Sequence, residues 1–145
     1  MLRDDGLAVA AQLGARGVAL TVLTNSLHST NAYYTASPLF FCLGPLAEAK
    51  LDLYAYSGAA RPQTGTFPGS QRWGVHSKRA AIDDDTIMIG TDNVDPRSAN
   101  RNSGLMVVCQ GSPALAAPMN ADLHERIRKL PHLSDRRQVE LSGLF

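Results

Sequence analysis

An α/β domain is the fold this sequence predicts, on three observations. Helix-spaced apolar residues and short β-prone runs take turns along the chain, the pattern of packed helix and sheet layers. Polar residues gather at the end of one such run, at Thr24-Asn25-Ser26, where α/β proteins build their sites. A length of 145 residues with 44% hydrophobic and 19% charged content suits one core. A chain of that length buries about 70% of the surface its unfolded form would expose.

Leu7, Ala10, Ala11 and Leu13 fall at helical spacing and are followed by Gly14 and Gly17, so the chain opens on a short helix with a glycine stop. Val18-Ala19-Leu20-Thr21-Val22-Leu23 is almost continuously apolar, which predicts a strand covered on both faces. Between Asn31 and Lys50, Pro38, Gly44 and Pro45 interrupt a helix-length segment, predicting broken helix. Leu51-Asp52-Leu53-Tyr54-Ala55-Tyr56 alternates as a second strand, and residues 57–71, rich in Gly, Pro, Thr and Ser, read as a loop. Trp73 to Ile82 and Thr86 to Ile89 read as two strands joined by the turn Asp83-Asp84-Asp85. Leu105-Met106-Val107-Val108-Cys109 reads as a further buried strand. Ser112-Pro113 then supplies an N-cap and a first-turn proline for a helix towards Lys129, which Pro118 should kink or divide. The expected organisation is one domain over residues 1–130 and a weakly ordered tail over 131–145.

A net charge of +1 predicts no general attraction to nucleic acid or anionic lipid, so any polyanion binding is local. Cys42 and Cys109 lack the spacing of a metal site or disulfide framework and read as small buried apolar residues. Met1-Leu2-Arg3-Asp4-Asp5 carries acids where a secretory signal needs a basic region, and no apolar run reaches the roughly 20 residues of a membrane span. The expected location is therefore cytoplasmic or peripheral to a membrane. His124 and His132, among Arg126, Arg128 and Lys129, read as the solvated basic end of the last helix. His28, just beyond a strand end, reads as a surface-loop residue.

Chemistry concentrates in His76-Ser77-Lys78, with Asp83 after it, and in Gly90-Thr91-Asp92-Asn93-Val94-Asp95-Pro96-Arg97-Ser98. Side chains two apart on a strand share a face, so His76 and Lys78 should point together and Ser77 and Arg79 the other way. A lysine offers a point charge to phosphate oxygens, and a histidine serves near neutral pH as nucleophile or as acid for a leaving oxygen. Thr91 and Asn93, again two apart, add hydroxyl and amide donors. Together they make a phosphate pocket in which lysine fills the cation role, and no metal or cofactor is expected. Each residue alone has a plainer reading: a packed histidine, a solvated lysine, a hairpin turn of three aspartates. Their conjunction in fixed order reverses that judgement.

In that order the residues resemble the signature of the phospholipase D superfamily, His-x-Lys-x-x-x-x-Asp followed by Gly-Ser/Thr-x-Asn-x-Asp-x-Arg-Ser. His76, Lys78 and Asp83 fit the first element; Gly90, Thr91, Asn93, Asp95, Arg97 and Ser98 fit the second. Residues 17–26 and 46–54 are similar to segments that precede the second motif in bacterial cardiolipin synthase-like proteins. The resemblance implies a mixed β-sheet flanked by helices, one half of a two-half arrangement in which two copies of the motif form one site. It further implies that one histidine is phosphorylated while the other protonates the leaving alcohol, after which water or a second alcohol completes hydrolysis or transfer. The catalytic residues would be His76, Lys78 and Asp83, with His76 as general acid. Lys78, Thr91 and Asn93 would bind phosphate, and Asp95, Arg97 and Ser98 would support them.

The pattern is departed from twice. Where the family places an acidic residue that orients the histidine, this chain has Gly104, which predicts an unsupported His76 and a slower reaction. The motif also occurs once, which provides half of a site: Leu23-Thr24-Asn25-Ser26 resembles the context of the second half of a longer ancestor, so the chain reads as a fragment or as a half completed by a homodimer mate or another chain. Three functions compete. The first is a phosphodiesterase or phosphatidyltransferase half-domain acting on glycerophospholipids, with peripheral membrane contact. The second is a homodimeric nuclease or general phosphodiesterase, disfavoured by the near-neutral charge. The third is an inactive module that binds phosphate or a partner.

Overall fold

The structure, a computed structural model, describes residues 4–26, 29, 43–56, 58, 74–93, 96–130 and 132. They fall into two compact units, one made of Leu7–Val75 with Leu130–Phe145 and the other of Met1–Gly6 with His76–Lys129.

α1 (Asp4–Ala15), which from Leu7 onward belongs to the first unit, ends where the glycines predict. Gly17 takes a φ of 81°, and the bonds from Gly17 N to Gly14 O (3.1 Å) and from Val18 N to Leu13 O (3.0 Å) close the helix on its own last carbonyls. Gly14 faces the α2 end closely enough that a Cβ there would lie 2.9 Å from the Ala49 carbonyl oxygen. β1 (Leu20–Asn25), α2 (Leu43–Glu48) and β2 (Leu51–Tyr56) follow. Pro45 falls in the first turn of α2, where its missing N–H costs nothing. The expectations for the rest of the 31–50 stretch, for the 57–71 loop apart from Gly58, for His28 and for Cys42 lie outside the described residues.

β1 and β2 pair in parallel from Leu20↔Leu51 to Asn25↔Tyr56. Alternation in β2 buries Leu51, Leu53 and Ala55, which form the core with Ala10, Leu46 and Ala49. The expectation that β1 is covered on both faces is corrected: its residues are half-buried and Val22 is exposed. His132 is corrected too. The last helix stops at Ile127, and His132 instead bridges to Tyr54 beside β2, its ring edge-on to the tyrosine at 4.9 Å and its Nε2 3.3 Å from the Asp52 carboxylate.

The second unit is an antiparallel meander, β3 (Lys78–Ile82), β4 (Thr86–Gly90) and β5 (Met106–Cys109), with α3 (Pro96–Arg101) inside the β4–β5 connection and α4 (Pro113–Ile127) after it. The β3–β4 turn is the three aspartates, Asp83 taking the left-handed φ of 49° that Asp tolerates better than most residues. α4 holds this turn. Asn120 Nδ2 donates to the Asp83 carbonyl (2.9 Å) and to Asp84 Oδ1 (3.0 Å), and Ser112 N donates to the Asp85 carbonyl (2.7 Å). Ser112 occupies the N-cap position with Pro113 after it, but its hydroxyl makes no capping bond. Pro118 neither divides nor ends α4, which runs through it in one piece.

The β3–β4–β5 register sorts side chains onto two faces. Arg79, Ala81, Ile87, Ile89, Val107 and Cys109 share the one that carries α4; Ile87 and Ala116 are its buried centre. Lys78, Ala80, Met88, Gly90, Met106 and Val108 share the other. The reading of Leu105–Cys109 as a buried strand is overturned. Among the described residues β5 is an edge strand, and Leu105 is 71% and Val107 54% exposed. Cys109 is a free, half-buried thiol.

Arg79 of β3 and Arg126 of α4 both bind the Asp122 carboxylate, Arg126 Nε at 2.8 Å. The Arg126 hydrogen bond, then that of Arg79, hold the Asp122 pKa at about 2 against an ordinary 3.8, with partial burial opposing them. A folded-state pKa below the unfolded value stabilises the fold above about pH 4, and the gain disappears as pH falls towards 2. Solvent reaches a quarter of the side chain, so the expected contribution is about 1 kcal/mol. Urea unfolding at pH 6 and pH 2.5 should show that difference in the native chain and lose it in Asp122→Asn.

Candidate active site

His76 and Lys78 stand at the start of β3, and Gly90 ends β4 directly opposite Lys78. The antiparallel hairpin therefore brings parts of both motif elements to one end: His76 and Lys78 at the start of β3, Thr91 and Asn93 just after β4. The strand itself starts at Lys78, not at Trp73, so His76 and Ser77 precede it in irregular backbone. The alternation still separates Lys78 from Arg79, whose guanidinium goes to α4.

His76 is exposed and Lys78 half-buried. The Lys78 ammonium folds back to donate to the His76 carbonyl at 2.8 Å, which keeps the charge beside the imidazole and leaves two of its three protons for a ligand. Thr91 extends the β4–β5 ladder: its N donates to the Leu105 carbonyl and its Oγ1 accepts from Leu105 N, each at 3.0 Å. That fixes the hydroxyl oxygen while leaving its proton to donate outward. Asn93 is exposed beside it. An exposed imidazole, an ammonium, a hydroxyl donor and a carboxamide at one strand end suit a tetrahedral oxyanion such as a phosphate ester.

The supporting residues are placed less uniformly. Asp83 lies at the far end of β3 from Lys78, in the turn held by Asn120. Ser98 is buried in α3 and accepts from Asn102 Nδ2 at 3.4 Å. Asp95 and the side chain of Arg97 lie outside the described residues. Among the described residues no three His, Cys, Asp or Glu side chains converge as metal ligands.

Two features went unread in the sequence. Asn25, last residue of β1, clamps Val75: its Nδ2 donates to the Val75 carbonyl (2.8 Å) and its Oδ1 accepts from Val75 N (2.6 Å), while Ser29 Oγ donates to the same oxygen at 3.2 Å. The carboxamide thus replaces a strand partner for the residue that leads into His76. The polar Thr24-Asn25-Ser26 terminus was the signal. Asn25→Ala should lower the unfolding free energy by about 1–3 kcal/mol, read from urea curves, because it strands both backbone groups of Val75. The second feature concerns Gly104. A Cβ there would fall inside the Asp92 carboxylate, so the space expected to lack an acidic group contains one.

Comparison with known proteins bears on the family and the fold. Residues 3–127 match the family described as cardiolipin synthase, PLD-like domain. Proteins from two strains of Helicobacter pylori, both called uncharacterized, are 28% identical over 121 residues covering 82% of this chain. The chain spans 24% of the length of these curated relatives. The crystal structure of Nuc from Salmonella typhimurium, a phospholipase D family member, superposes with a TM-score of 0.63 at 18% identity, over 91% of this chain and 75% of the other. NucT from Helicobacter pylori gives 0.59 at 14% identity, over 90% and 75%. Among the described residues no helix is long and apolar enough to cross a membrane.

Proposed function

The chain belongs to the phospholipase D-like family described as cardiolipin synthase, PLD-like domain, and from that premise we propose that it supplies half of a phosphodiester-cleaving site acting on glycerophospholipids. The observation that carries the reading is the placement of the His76–Lys78 and Thr91–Asn93 segments at the same end of the β3–β4 hairpin. The substrate class is supported by the family's description and by a net charge of +1, which offers no broad basic surface for nucleic acid.

In the proposed reaction an imidazole nitrogen attacks phosphorus, forming an N–P bond as the bond to the leaving alcohol breaks. A second imidazole gives that oxygen its proton. The second imidazole then takes a proton from water, or from an acceptor alcohol, whose oxygen displaces the first histidine from phosphorus. Lys78 and the donors of Thr91 and Asn93 hold the non-bridging oxygens, whose charge is greatest in the transition state. His76 is one of the two imidazoles. Asp83, at the other end of its strand, is assigned to the turn rather than to the substrate. The second imidazole comes from a second motif, carried by a second copy of this chain, by another chain or by a further part of a longer protein, and the exposed apolar edge at β5 is a surface suited to covering on assembly.

Sizing of the purified protein, with assays on a chromogenic phosphodiester, a phospholipid vesicle and single-stranded DNA, tests this. Hydrolysis of phospholipid that disappears in His76→Ala supports the proposal. Preference for DNA would instead favour the homodimeric nuclease, and a dimer inert to all three would favour the inactive binding module.

A further inference from the structure

We propose that Asp92 is a positioning residue for His76, its carboxylate standing where a side chain at position 104 would otherwise stand; this rests on the phosphodiesterase reading above. The β4–β5 ladder pairs Gly90 with Met106 and continues through the two Thr91–Leu105 bonds, so the next residues in the row are Asp92 and Gly104. The carboxylate of Asp92 lies over Gly104 so closely that no residue with a Cβ fits there unless Asp92 moves. Glycine at 104 is thus the complement of aspartate at 92.

The same row reaches His76. Alternation places Asp92 on the face of Gly90 and of its partner Lys78, opposite the face that carries α4. The paired ladder ends at Lys78↔Gly90, and His76 and Asp92 each lie two residues beyond that pair, at the same end of the hairpin. Opposed residues of a paired ladder have Cβ atoms about 5 Å apart, and two residues past its last pair a carboxylate and an imidazole are close enough to meet through side-chain rotation. Asp92 is half-buried, which limits competition from water, and the Lys78 ammonium is engaged by the His76 carbonyl. A carboxylate accepting the N–H of one ring nitrogen fixes the tautomer and leaves the other nitrogen for phosphorus or the leaving oxygen.

Four variants of the full chain test this: Asp92→Asn, Gly104→Ala, Asp92→Ala/Gly104→Ala and Asp92→Ala/Gly104→Glu. Asp92→Asn and Gly104→Ala should each lower kcat about 10- to 100-fold with little change in KM. The Ala/Ala double variant should be no worse than either, since both changes remove the same carboxylate from the row. Asp92→Ala/Gly104→Glu should recover most of the lost rate by returning a carboxylate from the neighbouring strand. Nitrogen-15 NMR of the His76 ring, recorded without substrate, should show the tautomer ratio change in Asp92→Asn and return with Glu at 104. Unchanged ring signals in a folded Asp92→Asn protein overturn the proposal. So do strictly multiplicative losses in the Ala/Ala variant. A chain that cleaves no phosphodiester defeats the enzymatic reading instead, and the ring signals then decide on Asp92 by themselves.

Discussion

Replacement of His76 by alanine is expected to lower kcat on a phosphodiester about 10³-fold or more, with a much smaller change in KM. The imidazole is exposed at the strand end and is either the nucleophile or the acid in each half-reaction, so its loss removes a bond-making step or leaves an alkoxide unprotonated. His76→Ala should also abolish acid-labile, base-stable phosphoryl labelling of the protein if His76 is the nucleophile, and let it accumulate if His76 is the base that activates water in the second step. Lys78→Ala should cost about 10²–10³-fold, because an ammonium aimed at the developing charge acts mainly on the transition state. Retention of full turnover in His76→Ala would falsify the site.

Mixing wild-type and His76→Ala chains gives the second large effect. If two copies of the chain form one site, each mixed dimer contains one defective half and is silent. An equimolar population, unfolded and refolded together, should then retain about a quarter of the wild-type activity rather than about half. Activity per chain should also fall on dilution as the dimer dissociates. Proportional loss, near half at equal amounts, would mean that each chain works alone or with a different partner, and the homodimer would have to be abandoned.

How much of this was visible in the sequence depends on whether the interaction was local. β2 was legible to the residue because Leu51, Leu53 and Ala55 alternate with polar or half-exposed neighbours. The hairpin was legible in its three aspartates, and the helix stop in Gly17. β5 was misread because an apolar run does not say whether a strand has neighbours on both sides; its exposure follows from sheet order, which is non-local. The strand assignment at His76 failed because backbone pairing, not β propensity, sets where β3 begins. For the candidate site, the motif named His76, Lys78, Thr91 and Asn93, whose segments share one end of the hairpin. It could not deliver Asn25, whose hydrogen bonds span fifty residues, or the contact of Asp92 with Gly104, which exists only across strands. A missing acid at one position was readable. Its replacement from the adjacent strand required the register.

The meander has one more consequence. From Lys78 to Cys109 each strand pairs with the next in sequence, so every ladder bond that shapes this end of the hairpin closes over a short chain separation. Such contacts form early and quickly during folding. The strand end that carries His76 can therefore be assembled by a single contiguous stretch of polypeptide. Copying that stretch once would copy the whole hairpin and its third strand together.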